Sequence, residues 1–197
     1  MASPDIRAAG STDPGLRREV NEDRYHADVT RGVFFVIDGV GGHAAGGKAA
    51  DVAASMLRAR LERETGPVAD RLREAIAIAN SEIHALAATR PEWNGMACVL
   101  TAAVVRDGRA TIGHVGDTRL YKLRYGRIDK VTRDHSPIGE REDTNELSEA
   151  KPCAIRGATR STATSVPSRT HPMTTSSWTS RRLPSSLTRR CCSAATG

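Results

Sequence analysis

The last 48 residues, Ala150–Gly197, contain no aspartate or glutamate, although the chain holds 23 of them. The same stretch carries 8 of the 29 Lys and Arg residues, 18 Ser or Thr and three of the four cysteines. The formal charge of +6 therefore divides into −2 for residues 1–149 and +8 for the tail, so the basic pI belongs to the tail and not to the body. A body built to grip nucleic acid is not expected on that balance. Aromatic residues are scarce, and apart from Trp178 upstream no aromatic platform accompanies Arg181-Arg182 and Arg189-Arg190, which argues against a single-strand binding surface. Cys191-Cys192 are adjacent rather than spaced as a zinc pair, so no zinc site is expected. No apolar run reaches 18 residues, and the N-terminal MASPDIRAAG lacks the apolar core of a signal peptide. No membrane partner and a cytoplasmic location are the corresponding expectations.

The richest stretch runs from Val33 to Gly47. Val33, Phe34, Phe35, Val36 and Ile37 form a continuous apolar run that predicts a strand buried on both faces. It ends in Asp38-Gly39, followed by Gly41-Gly42 and a helical pattern. Asp-Gly is a common turn pair. A carboxylate at a strand end, beside glycines that admit close approach, is also a seat for a hard cation. Ala50, Ala53, Ala54, Leu57 and Leu61 fall on one helical face, stopped by Thr65-Gly66-Pro67. Leu72, Ile76, Ala79, Ile83 and Leu86 mark a second helix over Val68 to Thr89, and both stripes read as core contacts. Strands follow at Val99–Val105, Ala110–Val115, Arg119–Leu123 and Ile128–Val131, with hairpin turns at Asp107-Gly108 and Tyr125-Gly126. Cys98, within a strand pattern, reads as a small buried hydrophobe. Two helices followed by a strand meander predict an α+β fold, an antiparallel sheet with helices on one face.

Upstream of Asp38 stands Gly15-Leu16-Arg17-Arg18-Glu19-Val20-Asn21-Glu22-Asp23. Downstream stand Gly95-Met96, then Ile112-Gly113-His114-Val115-Gly116-Asp117-Thr118-Arg119, then Thr132-Arg133-Asp134-His135-Ser136. In this order and spacing the set resembles the bacterial form of the metal-dependent protein phosphatase family (PPM, type 2C), over about Ile6 to Glu149. The resemblance implies a four-layer α-β-β-α sandwich of antiparallel sheets flanked by helices, incomplete here. It implies a protein serine/threonine phosphatase in which a Mn²⁺ or Mg²⁺ pair activates a bridging water for attack on phosphoserine or phosphothreonine. By the same resemblance Asp38 bridges the two metals and Gly39 offers its carbonyl to one, while Glu22 and Asp23 act through metal-bound waters. Arg18 holds the substrate phosphate, with Arg17 as a rival, and Asp117 binds a third, weaker ion. The implied partners are phosphorylated proteins, those of a bacterial serine/threonine kinase among them. A non-catalytic, phosphatase-like module that binds phosphoprotein through Arg18 is the alternative. Two departures stand out. Val40 occupies the position where some relatives carry a histidine, so no general acid is named, and His43 need not replace it. The segment after Met96 reads Ala97-Cys98-Val99 where the family tends to place threonine, a change of packing more than of chemistry.

Residues 1–149 thus read as the N-terminal part of one phosphatase domain, and 150–197 as a disordered basic tail out of frame with it. Re-read one base early, Lys151–Val166 can decode as Glu-Ala-Met-Arg-His-Pro-Arg-Arg-Asn-Glu-Val-Tyr-Arg-Asp-Val-Gly, and Cys191–Gly197 as Leu-Leu-Leu-Cys-Ser-Asp-Gly. The latter resembles the family motif that supplies the next metal-binding aspartate. In the chain as written Thr196-Gly197 stand there, and a later Asp-Asn pair of the family would lie beyond the C-terminus. Truncation, little or no activity and poor stability are the resulting expectations.

Overall fold

The computed structural model describes residues 6–16, 18–41, 45–136, 141, 143 and 180–182. Arg24–Asp28 forms β1 and Val33–Val40 forms β2, paired antiparallel with Tyr25 opposite Val36. Two helices follow, α1 at Ala45–Leu61 and α2 at Val68–Ala87, then a short 3-10 turn at Pro91–Trp93. Ala97–Arg106 (β3) and Arg109–Val115 (β4) complete a meander, and Tyr121–Arg124 (β5) pairs with Arg127–Lys130 (β6) as a separate two-stranded hairpin. The large sheet has the order β1-β2-β3-β4-β7, all antiparallel, in which β7 is Ser180–Arg182 paired with Arg109–Thr111. Those three residues lie within the tail for which the sequence predicts disorder. The rest of the tail, and with it the proposed frame change, lies outside the described residues.

Both helices pack on one face of the sheet. Ala49, Ala50, Ala53, Leu57 and Leu61 of α1 are buried, as are Leu72, Ala75, Ile76, Ala79 and Ile83 of α2, and they close on Val33, Phe35 and Ile37 of β2 and Leu100, Ala102 and Val104 of β3. Alternate residues along a strand face opposite sides, so Phe34, Val36 and Asp38 look away from the helices. They are only half-buried, and β2 is therefore not a strand buried on both faces as its unbroken apolar run predicts. The run is continuous because both sides are apolar, but the described helices cover one of them. The sheets and helices form an α+β fold, and the second helical layer of a four-layer sandwich lies outside the described residues.

Local chemistry sets the element ends. Asp107 and Gly108, and again Tyr125 and Gly126, all have positive φ (51°, 70°, 50° and 74°), the paired left-handed geometry of a two-residue hairpin turn. At the end of α1 the buried Arg71 reaches from α2, and its Nη1 donates to the carbonyls of Leu61 and Arg63 at 3.3 and 3.2 Å. Helix-terminal carbonyls that lack an intrahelical donor are satisfied in this way. β5 begins at Tyr121 rather than Arg119, because Arg119 turns aside to pair with the buried Asp134 through Nε and Nη2 at 2.8 and 2.6 Å.

Candidate active site

The C-terminal end of β2 meets the N-terminal end of α1 without side chains between them. A methyl group on Gly39 would overlap the carbonyl of Gly46, and one on Gly46 would sit 2.8 Å from the carbonyl carbon and oxygen of Gly39. Only glycine at both positions lets strand and helix cross this closely. The crossing brings Glu22 against the start of α1, where the Gly47 amide donates to Glu22 Oε1 at 3.4 Å. Arg24 locks the approach to β1 by donating to the carbonyls of Asn21 and Asp23 and, at 2.6 Å, to Asp51 on α1. Asn21 contributes twice, accepting from the Asp23 amide at 2.9 Å and donating to Thr12 at 2.8 Å.

These ties shape a polar cleft of about 210 Å³ lined by Asp13, Arg18, Asn21, Glu22, Asp23 and Asp38. Arg18, Glu22, Asp23 and Asp38 thus line one site. Arg18 stands at 3.9 Å from Glu22, with half of its side chain exposed. Asp38 faces the cleft from the end of β2, and its carboxyl is pushed up from 3.8 to about 6. Burial is the largest cause, the negative charges of Asp23 and Asp117 add to it, and Arg18 opposes it. Asp117 is therefore close enough to act on Asp38 electrostatically, although it does not line the cleft. Gly39 pairs with Cys98 across to β3. Arg17 and His43 lie outside the described residues.

Carboxylates crowded until one resists ionisation call for positive charge, and oxygen donors suit Mg²⁺ or Mn²⁺. Among the described residues no three His, Cys, Asp or Glu side chains are gathered tightly enough to form a coordination set alone. The looser arrangement fits a cation that keeps several waters between itself and the protein. Cys98, half-buried beside this cluster, has its thiol pushed up to about 12 by burial and by Asp38, and is chemically quiet as a thiol.

A second polar network stands behind Asp117. Thr101 Oγ1 lies 2.8 Å from His114 Nδ1 and 2.7 Å from Thr118 Oγ1, and both threonines are buried. His114 Nε2 meets the Arg133 carbonyl at 2.9 Å. His114, Thr118 and Arg133 stand in motifs legible in the sequence, but their contacts and the part of Thr101 are not, since they join strands and loops with no shared period. Asp13 of the cleft was equally silent, whereas Asn21 stood inside the Arg18 motif without a role of its own.

Residues 17–167 match the family described as Protein phosphatase 2C. The chain is 35% identical over 130 residues to the serine/threonine protein phosphatase PstP of Mycobacterium tuberculosis, covering 66% of this chain and 25% of that protein. It is 32% identical over 151 residues to the serine/threonine phosphatase stp of Listeria monocytogenes, covering 73% of this chain and 60% of that one. Among solved structures, the catalytic domain of PstP in complex with two manganese ions superposes with a TM-score of 0.64 at 32% identity, over 70% of this chain and 60% of that one. The phosphatase MsPP of Mycobacterium smegmatis, in complex with cacodylate, gives 0.65 at 30% identity, over 75% and 62%. The chain thus spans a quarter of the length of the first relative and 60% of the second.

Proposed function

Because the chain belongs to the protein phosphatase 2C family, we propose that its cleft is built for metal-dependent hydrolysis of phosphoserine and phosphothreonine in proteins. The observation that carries this reading is the crowding of Asp38, Asp23 and Asp117, which leaves Asp38 in need of a cation at neutral pH. Asp38 is the proposed shared ligand of two divalent ions, with the Gly39 carbonyl beside it and Glu22 and Asp23 reaching the ions through water. Asp117 is the proposed ligand of a third, weaker ion. Bound there, Mn²⁺ or Mg²⁺ supplies charge that neutralises phosphoryl oxygens and lowers the pKa of an attacking water. The likeness to a PstP domain holding two manganese ions supports Mn²⁺ as one of the two choices.

The chain's own residues do the rest. Arg18, half-exposed at the mouth of the cleft, presents a planar guanidinium that takes a phosphate as a fork, and its long contact to Glu22 is weak enough to yield. Glu22, held by the Gly47 amide, adds its carboxylate to the lining of the cleft beside Arg18. Val40, half-exposed where a general acid would stand, contributes none. Phosphorylated proteins, those of a serine/threonine kinase in particular, are the proposed substrates, and a cytoplasmic location is proposed with them. Among the described residues no helix is long and apolar enough to cross a membrane.

The exposure of Arg18 also favours a second reading, a module that binds phosphoprotein without hydrolysing it. The two separate on Mn²⁺-dependent hydrolysis of a small aryl phosphate. The measurement is made on the 197-residue chain and on a protein whose tail is restored by one base near the codons of Ala150 and Lys151. Turnover is expected in the restored protein, lost in its Asp38→Asn variant, with little in the chain as written. Phosphopeptide retention with no turnover in the restored protein would replace the enzyme by the binding module.

A further inference from the structure

The loop that carries Asp117 is held from behind by a directed chain of hydrogen bonds. The Arg133 carbonyl can only accept, so His114 Nε2, at 2.9 Å, must carry the proton. Burial, the largest influence, holds His114 below its ordinary pKa, and the neutral ring then accepts at Nδ1. The Thr101 hydroxyl is the donor to it at 2.8 Å. Thr101 Oγ1 lies 2.7 Å from the Thr118 hydroxyl, from which it accepts when its own proton is given to His114, and 3.2 Å from the Thr118 carbonyl. Thr118 is the neighbour of Asp117, so the chain ends one residue from the carboxylate. The other flank is pinned as well. Gly116 has φ +98°, a methyl there would overlap the Val99 side chain, and its carbonyl accepts from the His135 amide at 2.8 Å.

From this geometry we propose that Thr101 and His114 are positioning residues that hold the Gly116–Thr118 loop in the one conformation that presents Asp117 toward Asp38, and so set the affinity of the weaker cation. The proposal rests on the reading of Asp117 as a ligand. Neither residue lines the cleft. Each acts through Thr118, in the way that outer hydrogen bonds orient a ligand and cost about 10- to 100-fold in metal affinity when removed.

The test is a Mn²⁺ titration of the full chain followed by electron paramagnetic resonance of free Mn²⁺, which reads binding without any turnover. Asp117→Asn is expected to lose the weaker class of bound ion. Thr101→Val, which keeps the shape and removes the hydroxyl, is expected to weaken that same class about tenfold and leave the tighter ions unchanged, and Thr101→Ser to restore it. If Asp117→Asn binds as the wild type does, the ligand reading of Asp117 fails and the proposal falls with it. If Asp117→Asn loses the ion while Thr101→Val binds normally, the ligand reading survives and the positioning role is overturned. Should Thr101→Val fail to fold, Thr118→Val removes the same hydrogen bond from the loop side and decides by the same criterion.

Discussion

Replacing Asp38 with asparagine should make the metal-free protein more stable at neutral pH. The Asp38 carboxyl is raised from 3.8 to about 6 in the folded state, by burial first and then by its acidic neighbours. An acid whose folded pKa is raised contributes most below its unfolded pKa, and that contribution is lost as pH rises through the folded value. Above about pH 6 the ionised group is therefore a liability. Two units at about 1.36 kcal/mol each set a ceiling near 3 kcal/mol. The group is only half-buried, and solvent screening reduces this to about 1–1.5 kcal/mol. Asparagine keeps the shape and a donor toward Asp23 while removing the charge. Urea unfolding with a chelator present should show this gain at pH 7.5 and its disappearance near pH 4. Added Mn²⁺ should then stabilise the wild type and not the variant. A variant that is equally or less stable at pH 7.5, or a gain independent of pH, would refute the electrostatic account of the cleft.

Four further outcomes follow from the packing and the charges. Gly46→Ala sets a methyl 2.8 Å from the Gly39 carbonyl, and should cost more than about 1 kcal/mol in urea unfolding, reversing the helix-propensity gain alanine usually brings. Leu57→Ala empties a fully buried site between α1 and the sheet and should cost about 2–5 kcal/mol by the same assay. His114 and His26 are both held below their ordinary pKa, chiefly by burial, so their contribution is complete above about pH 6.5 and lost as pH falls through their folded values. Measured in the Asp38→Asn background, which removes the opposing titration of Asp38, stability should decline between pH 7 and 5. Arg18→Lys keeps the charge but not the fork, and should raise KM for a phosphopeptide in the frame-restored protein about tenfold, with a smaller change in kcat.

Local signals carried far in this chain. Asp107-Gly108 and Tyr125-Gly126 announced their turns because left-handed backbone has few tenants, and the two apolar stripes announced α1 and α2 because one face alone is paid in burial. β2 was legible as a strand but not in its environment, since a run of five apolar residues looks the same whether one side or both are covered. Asp38 stood out through the strand end and glycines around it, Arg18, Glu22 and Asp23 through the family resemblance alone, and all four line one cleft. What stayed hidden depends on chain crossings. Thr101 and Thr118 are 17 residues apart and meet only because β3 and β4 pair in register and the following loop folds back. The contact of Gly39 with Gly46 is equally silent, because a glycine that must accept a neighbour's backbone is spelled the same as one that merely turns.

That glycine seam has a mechanical meaning. Elsewhere in the core, side chains between elements can change rotamer and absorb a small shift. Where Gly39 meets Gly46 there is no side chain to rotate, and peptide rests directly on peptide. The Gly47 amide that steadies Glu22 stands in the first turn of α1, beside that same contact. The acidic floor of the cleft and the start of α1 thereby share one seam in which backbone meets backbone.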